Sequence, residues 1–199
     1  MKGFKLISTV IVIFGIINIS CNQSASKNKV NKLELSNDSI ELTNLTRHLY
    51  KWIETKSSKE DFKPKIIENQ DISYKGIDWD YHSKRLKELE ETNFFSKDFL
   101  DNYNKIAKTI DNDLKKGFKQ WLIGELPPFR NDSNPWCNCQ DNPDEYWKTM
   151  TITDIKKENN NWIFKWKWGN EFSYKVIATK INGSFRIKYL EGFDYNNYK

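Results

Sequence analysis

Residues 161 to 190 alternate large apolar and polar side chains so strictly that few folds can accept them. Trp162, Phe164, Trp166 and Trp168 alternate with Ile163, Lys165 and Lys167. Phe172, Tyr174, Val176 and Ala178 then alternate with Ser173, Lys175, Ile177 and Thr179, and Phe185, Ile187 and Tyr189 with Arg186, Lys188 and Leu190. Successive side chains of a strand point to opposite faces, so this period predicts strands with one buried and one wetter face. Residues 147–156 read as a further strand ahead of them. Asn159-Asn160-Asn161, Gly169-Asn170 and Asn182-Gly183 separate the runs, and such residues suit the left-handed backbone of tight hairpins. The prediction is a four-stranded antiparallel meander whose apolar face must be covered.

The cover has to come from upstream. Leu42, Leu45, Leu49, Trp52 and Ile53 recur at helical spacing and predict an amphipathic helix over 39–55. Residues 80–92 read as a second, weaker helix. Ser96 is placed to cap a third, lined on one face by Phe99, Leu100, Tyr103, Ile106, Ala107, Ile110 and Leu114, with Gly117 where a C-cap belongs. The expected class is therefore α+β: N-terminal helices packed on a curved four-stranded antiparallel sheet, over residues 38–199. Residues 121–145 lack periodicity and hold Pro127, Pro128, Pro135 and Pro143, so they predict a long irregular loop, a kind of segment that often carries function.

The start of the chain reads as an export signal. Lys2 and Lys5 precede a nearly unbroken apolar run from Leu6 to Ile19. That run is short for a membrane span and suits the apolar core of a signal peptide. Asn18-Ile19-Ser20-Cys21 resembles the lipobox of bacterial lipoproteins, with Ser20 and Cys21 as the matching pair and Asn18 departing from the usual aliphatic residue. The resemblance implies removal of residues 1–20 and lipidation of Cys21. Residues 21–37 are polar and aperiodic and read as a tether; fourteen or so flexible residues would span roughly 20 Å. Asn22 after the cysteine is not the aspartate of inner-membrane retention, so the expectation is an outer-membrane anchor facing the periplasm. The removed segment holds two lysines and no acids, so the net charge falls from +5 to +3. That mild balance gives no dense basic patch, and no nucleic-acid partner is expected. Asp38-Ser39-Ile40 reads as a helix N-cap, or else as a site resembling those that some bacteria O-glycosylate.

The order of helices and sheet resembles the nuclear-transport-factor-2-like (cystatin-like) superfamily, and within it exported bacterial domains of unknown function. Phe95-Ser96-Lys97-Asp98-Phe99, Asn134-Pro135-Trp136 with Gln140-Asp141, and Phe185-Arg186-Ile187-Lys188-Tyr189-Leu190-Glu191 carry the resemblance. The Cys137-Asn138-Cys139 insert and Asn134 in place of the usual acid depart from it. The superfamily holds isomerases, dehydratases and many non-catalytic binding domains, so the resemblance assigns no chemistry.

Few residues form a candidate site. Cys137 and Cys139 could form a disulfide, remain free thiols or serve as metal ligands, and no recognised ligand spacing joins them to His82, Asp132, Asp141 or Asp144. His48 reads as solvated. His82 follows Asp78, Trp79, Asp80 and Tyr81, either beside a carboxylate as a general base or in a helix-start acid cluster. Asp154 shares parity with Met150 and Ile152, as an inward carboxylate would. Gln140 and Asp141, with Trp136, are the leading binding candidates, at the mouth of a partly apolar pocket with Trp166 deeper; the opposing expectation is a fully packed core. No phosphate loop, nucleophile elbow or HExxH occurs, and no metal or cofactor is expected. The leading function is a non-catalytic domain binding a small ligand or an envelope protein, and the alternative is an isomerase- or hydrolase-like enzyme using a cavity carboxylate.

Overall fold

A computed structural model describes residues 23–57, 60–65, 72–125, 127–128, 133–169 and 172–199, with side chains from Asn37 on. The expected signal peptide and Cys21 lie outside the described residues. The chain divides into two compact units, Met1–Ser36 and Asn37–Lys199, and the sheet, core and cavity belong to the second. Among the described residues no helix is long and apolar enough to cross a membrane.

Three helices, α1 (Gln23–Thr55), α2 (Trp79–Glu91) and α3 (Lys97–Lys116), precede four strands, β1 (Thr151–Glu158), β2 (Asn161–Lys167), β3 (Tyr174–Ile181) and β4 (Ser184–Leu190). The strands pair in sequence order as one open antiparallel sheet, which the helices cover: an α+β fold. α1 begins well before the expected 39–55. Residues 23–36, expected as a tether, are helical. They hold no Gly or Pro, and their Gln, Ala, Lys, Leu and Glu residues cost a helix little, so helix forms there without an apolar period to announce it. Asp38 is consequently mid-helix and not an N-cap. Its buried carboxylate accepts from Trp162 Nε1 at 2.8 Å and Lys180 Nζ at 2.8 Å, tying α1 to β2 and β3.

Leu42, Leu49 and Tyr50 of α1, and Phe99, Tyr103, Ile106, Ile110 and Leu114 of α3, form the helical side of the core. Gly117 ends α3 in the left-handed conformation, φ 71°, that a side chain resists. Trp162, Phe164, Trp166, Tyr174, Val176, Ala178, Phe185 and Ile187 form the sheet side. The expected parity fails near two bulges. In β4 the register slips opposite Ile177 and Ala178, so Tyr189 turns toward the rim and Leu190 turns in. In β1 it slips between Thr153 and Lys156.

The first strand also starts late. Tyr146–Lys148 is a 3-10 turn, with Tyr146 and Trp147 buried, and only Thr151 opens β1. Arg47 of α1 fixes the junction, its guanidinium donating twice to the Met150 carbonyl at 3.0 and 2.7 Å. The outer edge of β4 is paired with the segment before α3, through Ser96 N–H to Ile187 O and Ile187 N–H to Phe94 O, at 2.8 and 2.7 Å. This covers the β4 edge at Ile187.

Candidate functional site

The expected loop of 121–145 is pinned into the core by its own centre. Pro135 and Trp136 are buried, and their carbonyls accept from Tyr174 Oη and Tyr50 Oη, each at 2.6 Å. Tyr174 Oη accepts in turn from Gly192 N–H, and Tyr50 Oη from Trp166 Nε1. A side chain at Gly192 would overlap the Pro135 carbonyl, so glycine is required by close approach. Cys137 and Cys139 form a disulfide across the turn, and Asn134 N–H donates to the Cys139 carbonyl at 2.9 Å. Asn138 between them has φ 52°, a conformation asparagine tolerates.

Trp136 leads outward to a buried polar cluster. Its Nε1 donates to Asp61 Oδ2 at 2.6 Å, while Asp61 Oδ1 accepts from Tyr103 Oη at 2.8 Å and Arg85 Nε at 3.1 Å. Arg85 Nη1 donates to Ser57 Oγ at 2.7 Å and Glu88 Oε2 at 2.9 Å. The Arg85 side chain is 1% exposed and that of Asp61 7%. Its guanidinium lies 5.5 Å from the Trp52 ring centre and 5.7 Å from that of Trp136, within cation–π reach of both. Burial pulls the Arg85 pKa down, but Asp61, Tyr103 and Glu88 outweigh burial and leave it raised. Burial, and the Asp61 charge after it, push the Tyr103 hydroxyl well up, so it stays a donor.

A cavity of about 580 Å³ opens beside this cluster. Trp121, Trp136, Tyr74, Ile53, Pro64 and Pro127 supply its apolar walls. Asp61, Arg85, Glu60, Lys63, Ser57 and Asn134 supply its polar ones. Lys63 lies 3.9 Å from Glu60 at the rim, and Tyr74 packs edge-on against Trp121 at 5.1 Å between ring centres.

The site residues expected from sequence scatter around this geometry. Trp136 lines the cavity. Trp166 does not: it is fully buried in the core, where Tyr50 takes its N–H. Gln140 and Asp141 are exposed beyond the disulfide turn and are not among the cavity's lining residues. Asp154 is no inward carboxylate. It occupies the β1 bulge with φ 58°, exposed, 3.6 Å from Lys165. The bulge reverses the parity that placed it inside. His82 is buried, but not against a carboxylate: its Nε2 meets Asn104 Oδ1 at 3.1 Å and its ring stacks on Tyr103 at 5.4 Å. Burial is the main influence on His82 and lowers its pKa against the opposing pulls of Asn104 and Asp61. Asp78 caps α2 instead, accepting from Tyr81 N–H at 2.9 Å. His48 is exposed, as expected. Among the described residues no cluster of His, Cys, Asp and Glu could hold a metal ion.

Asp61 and Arg85 were missed from sequence. Arg85 did carry a signal, since it stands three residues after His82 and four before Leu89, on the buried stripe of α2. Asp61 carried none, because it lies in an aperiodic stretch and is buried only by its partners. The chain matches no family model, no curated protein and no solved structure.

Proposed function

We propose that this chain is an exported lipoprotein, anchored through Cys21 in the cell envelope, whose domain from residue 38 binds a ligand without catalysis. The observation carrying the binding half is the cavity at Asp61, Arg85 and Trp136. Its polar groups are held by fixed partners before any ligand arrives, and such pre-ordering lowers the entropy lost on binding. The non-catalytic reading rests on Asp61: both carboxylate oxygens already accept from Arg85, Tyr103 and Trp136, which suits a structural anchor better than a proton shuttle. The order of helices before a meander is compatible with the nuclear-transport-factor-2-like superfamily, in which binding domains are common. The export half rests on Lys2, Lys5, the apolar run and the Ser20-Cys21 junction.

A fragment screen by ligand-detected NMR on the full chain tests the cavity. Saturable binders that lose affinity on Tyr74→Ala are expected, and a screen without any would sink the reading. Detergent partitioning tests the anchor: wild type should enter the detergent phase and Cys21→Ala should remain aqueous. Equal partitioning of the two would remove the lipid.

A further inference from the structure

A bond that adds little to a fold receives little from it, because the two free energies close one cycle. The Cys137–Cys139 disulfide is of that kind. Only Asn138 separates its cysteines, so it removes little chain entropy. The turn is also held without it. Asn138 N–H and Cys137 N–H both donate to the Asn134 carbonyl, at 2.7 and 3.1 Å, and Asn134 N–H donates to the Cys139 carbonyl at 2.9 Å. Tyr174 and Tyr50 fasten Pro135 and Trp136 besides. The ring closes over Asn138 at φ 52°, a left-handed conformation that an unfolded chain visits sparingly, so the two thiols seldom meet outside the fold. A disulfide that neither the local chain nor the fold strongly favours is one that other thiols can open.

The two sulfurs are not equally open. Cys137 is 1% exposed, whereas Cys139 is half-buried and flanked in sequence by the exposed Asn138 and Gln140. A nucleophile therefore reaches the bond at Cys139 Sγ and expels Cys137. Cys137 Sγ lies 3.7 Å from the carbonyl oxygens of Asn134 and Cys139, which can accept from the released thiol once it is protonated.

We propose that Cys137–Cys139 is a thiol-exchanging disulfide that oxidises the dithiol of an exported protein. One substrate thiolate attacks Cys139 Sγ: a mixed disulfide forms, the Cys137–Cys139 bond breaks, and Cys137 leaves as a thiolate that takes up a proton. The second substrate thiolate then attacks the substrate's own sulfur in the mixed disulfide. The substrate disulfide forms and Cys139 is released and protonated in turn. Two electrons and two protons thus pass from the substrate to the turn. The exported setting comes from the reading above; the exchange itself depends on neither the anchor nor the cavity.

The test uses the full chain carrying Cys21→Ala, in which Cys137 and Cys139 are the only cysteines. It is equilibrated with graded mixtures of glutathione and glutathione disulfide, trapped with N-ethylmaleimide and weighed by mass spectrometry, beside a peptide of residues 136–140 in the same buffers. The folded chain should pass to the dithiol form without denaturant and keep its near-ultraviolet circular dichroism. Its reduction constant should lie within about a hundredfold of the peptide's, the factor that about 2.8 kcal/mol represents. A chain that holds its bond more tightly than that, or that is reduced only once denaturant unfolds it, would overturn the proposal. Two single variants locate the attack. Cys137→Ser should take up glutathione at Cys139 about tenfold faster or more than Cys139→Ser does at Cys137, because exposure governs access to the sulfur. Equal rates would remove Cys139 as the point of entry and the mechanism with it. Mixed with a reduced Cys-Gly-Gly-Cys peptide, the oxidised chain should yield peptide disulfide and protein dithiol in equal amounts, and the absence of peptide disulfide would overturn the oxidising role. The fragment screen bears only on the cavity, so either reading can fail while the other stands.

Discussion

Arg85 brings a full charge into a place from which water is almost absent, and what makes this tolerable is the number of groups that meet it. Asp61, Glu88 and Ser57 take its N–H groups, and two indole rings lie within cation–π reach. Removing one member of a buried pair strands the other. Arg85→Ala should therefore cost about 3–5 kcal/mol in urea unfolding. Asp61→Leu combined with Arg85→Met should recover part of that loss, because it removes both charges of the pair, but Tyr103 Oη and Trp136 Nε1 then lose their acceptor. If the double variant were as unstable as the single one, the cluster would matter for shape more than for charge. His82 makes a second prediction of the same kind. Its folded pKa lies below that of the unfolded chain because burial disfavours the cation. The unfolded state therefore binds the extra proton first as pH falls. The His82 share of stability is complete above about pH 6.5, the unfolded value, and is lost on acidification below it. Unfolding at pH 7.5 and pH 5 should show this loss in wild type and a smaller one in His82→Phe, whose ring can keep the stack on Tyr103. An unchanged pH dependence in the variant would assign the acid sensitivity elsewhere.

At the scale of elements, the disulfide turn shows how little a covalent link can contribute when the polypeptide already holds itself. Closing so short a loop removes chain entropy worth about 1.5 kcal/mol at 25 °C. The turn is independently fastened by Tyr50, Tyr174 and the Asn134–Cys139 backbone pair. Thermal melting of the Cys137→Ser, Cys139→Ser double variant should reveal a loss under about 3 kcal/mol. A larger loss would mean that the bond, and not the tyrosine contacts, seats Trp136. The elements differ in how plainly the sequence announced them. Trp162, Phe164 and Trp166 could be placed from period two alone, because a half-buried strand writes its faces into alternate residues. Gly117 and Asn182-Gly183 were legible because left-handed backbone demands those residue types. Trp147 and Tyr189 were misplaced for one shared reason: a 3-10 turn and a bulge break the period locally without any residue type that marks them. The site was legible only at Trp136. Asp61 and Arg85 are charged, and charge on a sequence predicts exposure; what keeps them inside is mutual pairing across 24 positions of chain, which no local pattern encodes.

On the scale of the whole molecule, the helices and the sheet share a layer of rings, and the last of those rings arrive after the last strand. Phe193 and Tyr198 are buried, and both lie beyond Leu190, where β4 ends. Phe193 packs on Phe62, Phe99, Tyr103 and Trp136, and Tyr198 Oη donates to the Gly192 carbonyl at 2.8 Å. Among the described residues, α1 to α3 and β1 to β4 can thus leave the ribosome while the interior still lacks its closing residues. A chain stopped at Leu190 should be compact and rich in secondary structure but without fixed packing: native-like far-ultraviolet circular dichroism, a lost near-ultraviolet signal, and dye binding that the full chain does not show. A sharp, cooperative melt in that truncated chain would refute the idea. Rings that arrive last act as a latch on folding, and the exported chain proposed above, which would have to stay unfolded to pass through a membrane channel, would keep that option open for as long as its latch has not yet been made.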